Sequence, residues 1–478
     1  MRTKARRSIG LLSGTLALAA LLLAFAATGA AAATAIERVV SPSGIEAWLV
    51  REPSAPLIAM EFAFRGGAEQ DPADKTGVAH MVADLLDEGA GALDSNTFHE
   101  QLERHAVEMH FSAGRDQFRG SLRTLAENRD NAFGMLHLAL TEPRFDAEPI
   151  ERAHAQILSS IRRESTSPRD IAGRRWWETA FAGHAYGRQL RGTLESVPRI
   201  GADELRAYTR RVFARDNLKI GVVGDIDAAT LGRLLDATFG ALPRHADLQA
   251  IPTALPQGLG QAIRVDLDVP QTVVQFGGAG LLRKDPDFMA GVLVNHVLSG
   301  GSLTSRLYRE VREKRGLAYS VYTTLVPLTH AAVLSGGTAT RSDRAEETLE
   351  VMSREIGRLA EDGPSEEELA KAKSFLKGAY ALNFDSSTKI AGQLVQLQLD
   401  DLGIDYVERR QALIDAVSIA DAKHVAKRLF AGPLLFAIVG RPATAVAGQA
   451  IAKERGAVAP AAARPAAAAG SMDPVSLH

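Results

Sequence analysis

Cysteine is absent from all 478 residues. That absence removes disulfides, thiolate zinc sites, a cysteine nucleophile and a lipid-modified cysteine behind a leader. A basic excess is missing too. With 55 Lys and Arg against 57 Asp and Glu, nothing draws the chain to a polyanion, and nucleic acid is not expected as a partner. Long apolar runs occur only at the N-terminus, so no membrane span is expected in the rest of the chain. A phosphate loop is absent as well, because Gly300-Gly-Ser-Leu-Thr-Ser305 lacks the Gly-Lys-[Ser/Thr] ending that positions phosphate and magnesium.

At the N-terminus, Arg2, Lys4, Arg6 and Arg7 precede an apolar run from Ile9 to Ala27 and a stretch of small residues from Thr28 to Ala35. This is the pattern of a signal peptide, read over residues 1–33. An uncleaved anchor helix is the alternative, against which stand the Gly and Ser breaks in the run and the small residues behind it. Arg6-Arg7 raises a twin-arginine route beside the general one. The expected product is an exported, periplasmic, mildly acidic protein with no stable membrane span after cleavage. Residues 443–478 are dominated by Ala, Pro and Gly and show no apolar stripe that could dock, so they read as a flexible tail.

Between these ends the chain repeats itself once. Ile171-Ala-Gly-Arg, opening an aromatic-rich helical pattern, recurs 219 residues later as Ile390-Ala-Gly-Gln. Leu218-Lys-Ile-Gly-Val-Val-Gly-Asp closes the first unit, and Leu434-Leu-Phe-Ala-Ile-Val-Gly closes the second. The predicted organisation is an N-terminal unit over 34–245, a Pro- and Gly-bearing linker over 246–260 and a C-terminal unit over 261–442. Alternating runs such as Ile58-Ala-Met-Glu-Phe-Ala-Phe and Thr272-Val-Val-Gln-Phe suit half-buried strands. The stretch from Glu346 to Glu361 has helical spacing, and Ser365 with acidic residues behind it starts the next helix. Strands and helices interleave without regular β-α-β alternation. The fold class expected is α+β: two homologous units, each a largely antiparallel sheet with helices packed on one face.

Gly77-Val-Ala-His-Met-Val-Ala-Asp-Leu-Leu-Asp-Glu-Gly reads as a helix that carries part of a metal-site pattern. A His-x-x-Glu-His helix places two imidazoles on one face, with a Glu before the second as base for the metal-bound water. Here His80 is present, Ala83 stands at the Glu position and Asp84 at the second His. An alanine accepts no proton. His99, His105 and His110 have no good ligand spacing and read as surface or satisfied polar residues.

The chain resembles the pitrilysin-type metallopeptidases, in particular the bacterial relatives of the mitochondrial processing peptidase, from about Val39 to Gly440. The resemblance is carried by Gly77-Val-Ala-His, by Tyr186-Gly, by the strand from Leu218, and above all by Leu298-Ser-Gly-Gly-Ser-Leu-Thr-Ser-Arg-Leu-Tyr-Arg-Glu-Val-Arg-Glu-Lys-Arg-Gly-Leu-Ala-Tyr-Ser-Val. It implies a third zinc ligand, a Glu, on a later helix. Ser160 occupies that position, with Glu164 one helical turn beyond. The base and two ligands are therefore missing, and no metal is expected in this chain. A different site made of His80, Asp84 and Glu164 would still lack the base.

The resemblance further implies that Arg312 and Tyr319 handle substrate, the Tyr hydroxyl donating to the oxyanion of the scissile carbonyl and the Arg holding peptide backbone. The reading from the residues alone is plainer: Arg312 in a solvated charge run and Tyr319 packed on a sheet. Gly300 and Gly301 resemble a shortened glycine-rich loop of non-catalytic processing-peptidase subunits, implied to contact substrate, and a plain turn between helices fits them equally. Taken together, the resemblance implies a subunit inactive alone, forming one half of a clamshell. Its partner would be a homologous chain that carries the zinc, and a peptide or unfolded protein would be the substrate. A peptide-binding scaffold without chemistry is the alternative, and an autonomous zinc peptidase the third reading.

Overall fold

The computed structural model describes residues 36–300 and 304–441; the leader, the C-terminal tail and Gly301 lie outside them. Thirteen strands are present among the described residues: β1 Glu37–Val40, β2 Glu46–Arg51, β3 Leu57–Arg65, β4 Gly89–Ala90, β5 Leu93–Asp94, β6 Glu108–Ala113, β7 Gln117–Leu125, β8 Leu218–Gly224, β9 Ala262–Asp266, β10 Gln271–Ala279, β11 Ala318–Pro327, β12 Ala332–Arg341 and β13 Leu435–Gly440. Five helices matter for the site: α1 Val78–Leu85, α2 Ala147–Glu164, α3 Pro168–Ala180, α4 Glu366–Tyr380 and α5 Ser387–Leu399.

The first sheet runs β1-β2-β8-β3-β7-β6 and the second β11-β12-β10-β13-β9. Read from the other end, the second is β9-β13-β10-β12-β11, the same order of first, last, second, fourth and third strand as β2-β8-β3-β7-β6. The repeat in the sequence is thus a repeat of topology. In each sheet one pair is parallel, β2 with β8 and β9 with β13, while β3 and β10 pair antiparallel on both sides.

One face of each sheet packs on the helices of its own half. Along β3, Ile58, Met60, Phe62 and Phe64 point into the large first core, and along β10 Val274 and Phe276 enter the second. Phe62 lies over Gly120 and Phe276 over Gly336, at corresponding places, and a Cβ on either glycine would meet the ring at 2.2 and 2.5 Å.

The opposite face of each sheet is covered by a helix from the other half. Small side chains make this approach possible: β3 presents Ala63 to Val395 and Leu399 of α5, and a Cβ on Gly221 of β8 would lie 2.4 Å from the Ala391 carbonyl. Reciprocally, α3 sets Ile171, Ala172, Trp176 and Ala180 against Leu435, Ala437 and Val439 of β13. Polar bonds fix both contacts. Gln398 Nε2 donates to the Ile220 carbonyl at 2.8 Å, and the Trp176 indole N–H donates to the Leu435 carbonyl at 3.1 Å. The Ile-Ala-Gly motif that marks the repeat therefore sits on the two exchanged helices. From Arg38 onward the halves form one compact unit.

Segment 246–260 runs as a strap bonded to both halves, with Gln249 N–H donating to Gln70 Oε1 at 2.8 Å, Ala254 N–H to the His330 carbonyl at 2.8 Å and Gly260 N–H to the Leu434 carbonyl at 3.0 Å.

The corresponding hairpin tips β6–β7 and β11–β12 also meet. Asp116 accepts from the Thr329 N–H at 2.8 Å and from the Tyr186 hydroxyl, whose oxygen accepts from the His330 N–H at 3.0 Å. Glu69 is buried beside them, its Oε2 3.6 Å from His330 Nε2. Burial first, and then the Asp116 charge, raise the Glu69 carboxyl far above its ordinary value. The folded state therefore keeps a proton that the unfolded chain has released. The stability this carries is full below about pH 4.5 and is lost as pH rises through neutrality. Glu69→Gln, which retains shape and polarity, is expected to flatten the fall in Tm between about pH 5 and about pH 9. Parallel Tm profiles for the two proteins would show that this proton does not matter.

Candidate functional site

The degenerate metal-site helix α1 is short but firmly placed. Asp71, almost fully buried, accepts from the N–H groups of Gly77 at 2.8 Å and Ala79 at 2.9 Å, which satisfies donors that a helix start leaves open. Burial nonetheless pushes its carboxyl up to about 7. Gly77 has φ +103, and a Cβ there would lie 2.8 Å from the Arg191 carbonyl, so the helix begins at a position only glycine fills without strain. Val78, Met81, Val82 and Leu85 face the core and leave His80 and Asp84 on the outer side.

His80 Nε2 is 3.6 Å from Asp84 Oδ2. Burial lowers the imidazole and raises the carboxyl, and the charge of Arg191 pushes both towards lower values. Ala83 is buried and brings no polar atom. On α2, Ser160 accepts from Arg163 Nη2 at 2.8 Å. Glu164 is the group of that helix within electrostatic reach of His80. It is held by Arg191 at 2.6 Å. A guanidinium thus occupies the electrostatic place that a cation among these groups would need, and no base stands at position 83. These residues do not fit a zinc centre of the His-x-x-Glu-His type, and no cluster of three potential metal ligands occurs among the described residues. Of the remaining histidines, His99 bonds the Ser95 carbonyl at 2.8 Å and His105 bonds Asn131 at 3.2 Å.

Arg312 and Tyr319 are brought together. Leu307 and Val311 bury the wide helical turn Tyr308–Glu313 in the second core. Gly316, at φ +59, then reverses the chain into β11. The pairing of β11 with β12 is irregular between Ala318 and Val321, so Tyr319 and Ser320 stand together at a bulge, both exposed. A bulge re-aims side chains locally. Tyr319 is 79% exposed although it sits between the buried Ala318 and Val321 in sequence. The Arg312 guanidinium lies 4.2 Å from the Tyr319 ring centroid and 4.9 Å from that of Tyr308. Its neighbours in the charge run pair among themselves, Glu310 with Lys314 and Arg315. The plain reading of a solvated run therefore describes Glu310, Lys314 and Arg315, whereas Arg312 is stacked.

Gly300 closes the helical stretch ahead of this turn. A Cβ there would lie 2.8 Å from His296 Nδ1, so close approach is what requires glycine at this position. The same stretch is tied to β11: Thr323 N–H donates to Ser299 Oγ at 2.6 Å and Asn295 Nδ2 donates to the Thr323 carbonyl at 3.0 Å. Arg306 forks onto Glu368 of α4 at 2.8 and 2.7 Å. Tyr319 thus stands on an edge strand tied to the stretch that ends at Gly300, and Arg312 on a turn whose lead-in is held to α4. The sequence gives no short-range signal for Arg191, Asp71 or the Arg306–Glu368 brace, because each acts on a group far away in the chain.

Comparison with known proteins agrees with this architecture. A family model described as Insulinase (Peptidase family M16) matches residues 48–194, and one described as Peptidase M16 inactive domain matches residues 199–376. The chain is 24% identical over 414 residues to an uncharacterized zinc protease of Streptomyces coelicolor, covering 85% of this chain and 89% of that protein. It is 25% identical over 329 residues to the non-peptidase homolog YmxG of Helicobacter pylori, covering 68% and 76%. A crystal structure titled as a peptidase M16 inactive domain from Pseudomonas fluorescens superposes with a TM-score of 0.80 at 24% identity, covering 85% of this chain and 98% of that one. A protease from Helicobacter pylori gives 0.76 at 20% identity, covering 85% and 99%. The chain belongs to the M16, or pitrilysin-type, peptidase family, as a member whose metal-site helix has lost its base and its second histidine.

Proposed function

We propose that this chain is the non-catalytic subunit of a two-chain zinc peptidase of the periplasm, supplying Arg312 and Tyr319 to a site whose zinc is held by a homologous partner. The observation that carries the reading is an asymmetry. Positions 83, 84 and 160 have lost the chemistry of the first half, whereas Tyr319 stands exposed on the edge strand β11 with the half-buried Arg312 of the preceding helical turn stacked on its ring. In a closed complex the pair offers a planar fork for peptide carbonyls and a hydroxyl for an oxyanion.

The experiment mixes the mature chain with a zinc-bearing homologue from the same cell. A one-to-one complex is expected in gel filtration, burying about 1,200–2,000 Å² or more, together with peptide hydrolysis that this chain alone lacks. A candidate partner that is fully active alone and never associates would overturn the reading.

A scaffold without chemistry is the second reading, favoured by one feature. The strands β6 and β11 hold corresponding edge positions in the two sheets, where an extended peptide adds by main-chain hydrogen bonds. Retention of peptide by the complex without any change of rate on mutating Arg312 and Tyr319 would support it.

A further inference from the structure

Beside α1, outside the Arg/Tyr site, lies a cleft of about 330 Å³ formed by the end of α2, the start of α3, the β6–β7 tip and the loop over residues 187–192. Four guanidiniums, those of Arg115, Arg174, Arg188 and Arg191, line it against two carboxylates, Glu164 and Asp170. One of these acids is already neutralised, since Glu164 pairs with Arg191. The other cations are anchored through few of their N–H groups. Arg188 Nη1 donates to the Asp71 carbonyl at 2.8 Å, Arg115 Nε donates to the Tyr186 carbonyl at 3.2 Å, and Arg174 reaches Glu178 only at 4.0 Å. A guanidinium carries five donors, so each fork retains capacity towards the cleft.

The cleft is built into the fold. A Cβ on Gly187 would lie 2.4 Å from the Phe181 carbonyl, and one on Gly192, at φ +83, would lie 2.4 Å from the Thr76 carbonyl, so the loop is seated against both neighbours. Its apolar side is Trp177, with the Arg115 guanidinium 3.7 Å from the ring centroid, together with Ile161 and Leu190.

We propose that this cleft binds a carboxylate carried by a peptide, either a free C-terminus or an acidic side chain. Arginine forks match a carboxylate in two parallel hydrogen bonds, and the apolar wall takes the carbon chain that carries it. Glu164 and Asp170 in the lining disfavour a doubly charged phosphate more than a single carboxylate. The proposal rests on the peptide-handling reading above only for the identity of the carrier. Binding is therefore measured on this chain by itself. Failure here leaves the subunit reading intact, and failure to assemble leaves this site intact.

Calorimetric titration of the mature chain compares four acetylated alanine tetrapeptides: one with a free C-terminus, one amidated, one amidated with an internal Glu, and one amidated with an internal Lys. Intrinsic tryptophan emission, to which Trp177 in the wall contributes beside Trp48 and Trp176, is followed in parallel. Carboxylate-bearing probes are expected to bind and change the emission, whereas the neutral amide and the Lys peptide do not. Which of the two acidic probes binds identifies the source of the carboxylate. Arg174→Gln should weaken binding roughly tenfold or more, the size of one charge-assisted hydrogen bond, and Arg174→Glu should abolish it. Arg210→Gln, on an exposed helical surface elsewhere, should change nothing. Equal binding of acidic and amidated peptides, no binding of any probe, unchanged affinity in both Arg174 variants, or equally tight binding of inorganic phosphate would overturn the proposal.

Discussion

Tyr319→Phe is expected to cut turnover by the proposed two-chain peptidase roughly 10²–10³-fold, the usual loss for one oxyanion donor, without affecting assembly or the zinc proposed for the partner. The structure makes this a clean subtraction. The ring is 79% exposed, so deleting its oxygen opens no cavity. The Arg312 guanidinium, 4.2 Å from the ring centroid, still has an aromatic face to rest on. Arg312→Ala should act differently. In the proposed role it would remove a contact made to bound peptide before the transition state, so KM should rise together with the loss in kcat. Arg312→Lys should recover only part of the function, because an ammonium neither stacks nor forks as a guanidinium does. If Tyr319→Phe and Arg312→Ala both turn over at the wild-type rate in a folded complex, this chain contributes no chemistry and the scaffold reading takes its place.

The fold and the site are unevenly legible in the sequence, for physical reasons. Strands whose large side chains alternate with small ones, such as β3, announced themselves, and so did the capped helix that starts behind Ser365. The repeat was visible as Ile-Ala-Gly at 171 and 390, but not its meaning. Ala63 and Gly221 look like weak strand residues until a helix from the other half is seen lying on them. Burial on both faces of a sheet is a property of the partner layer, and a partner more than a hundred residues away leaves no local periodicity. The same limit applies at the site. Ala83, Asp84 and Ser160 could be read as losses position by position, whereas the Arg191–Glu164 pair that fills the vacated surroundings joins two segments with no pattern between them. Tyr319 could be named from the resemblance, but its exposure depends on a bulge against β12, which alternation alone would have hidden.

The exchanged helices carry the other large expected effect: Trp176→Ala should destabilise the protein by about 3–5 kcal/mol. Trp176 is fully buried, and its ring covers Gly277 of β10, where a Cβ would come within 2.8 Å of the indole. Its N–H is bonded to the Leu435 carbonyl of β13. Removal therefore leaves a large void and a buried carbonyl without its donor at the same point. Trp176→Phe separates the two contributions. It keeps most of the apolar area, loses the bond, and should cost about 1–3 kcal/mol. The adjacent Trp177 is only partly buried, so Trp177→Ala should cost clearly less, and the comparison controls for the general effect of removing an indole from α3. Midpoints in urea, with the slope m examined for each variant, provide the test. Because α3 belongs to the first half and its contact surface to the second, a lowered m in Trp176→Ala would report that the halves have begun to unfold separately. A loss below about 1 kcal/mol with m unchanged would mean instead that the strap over 246–260 and the hairpin tips hold the halves together without the exchanged helix.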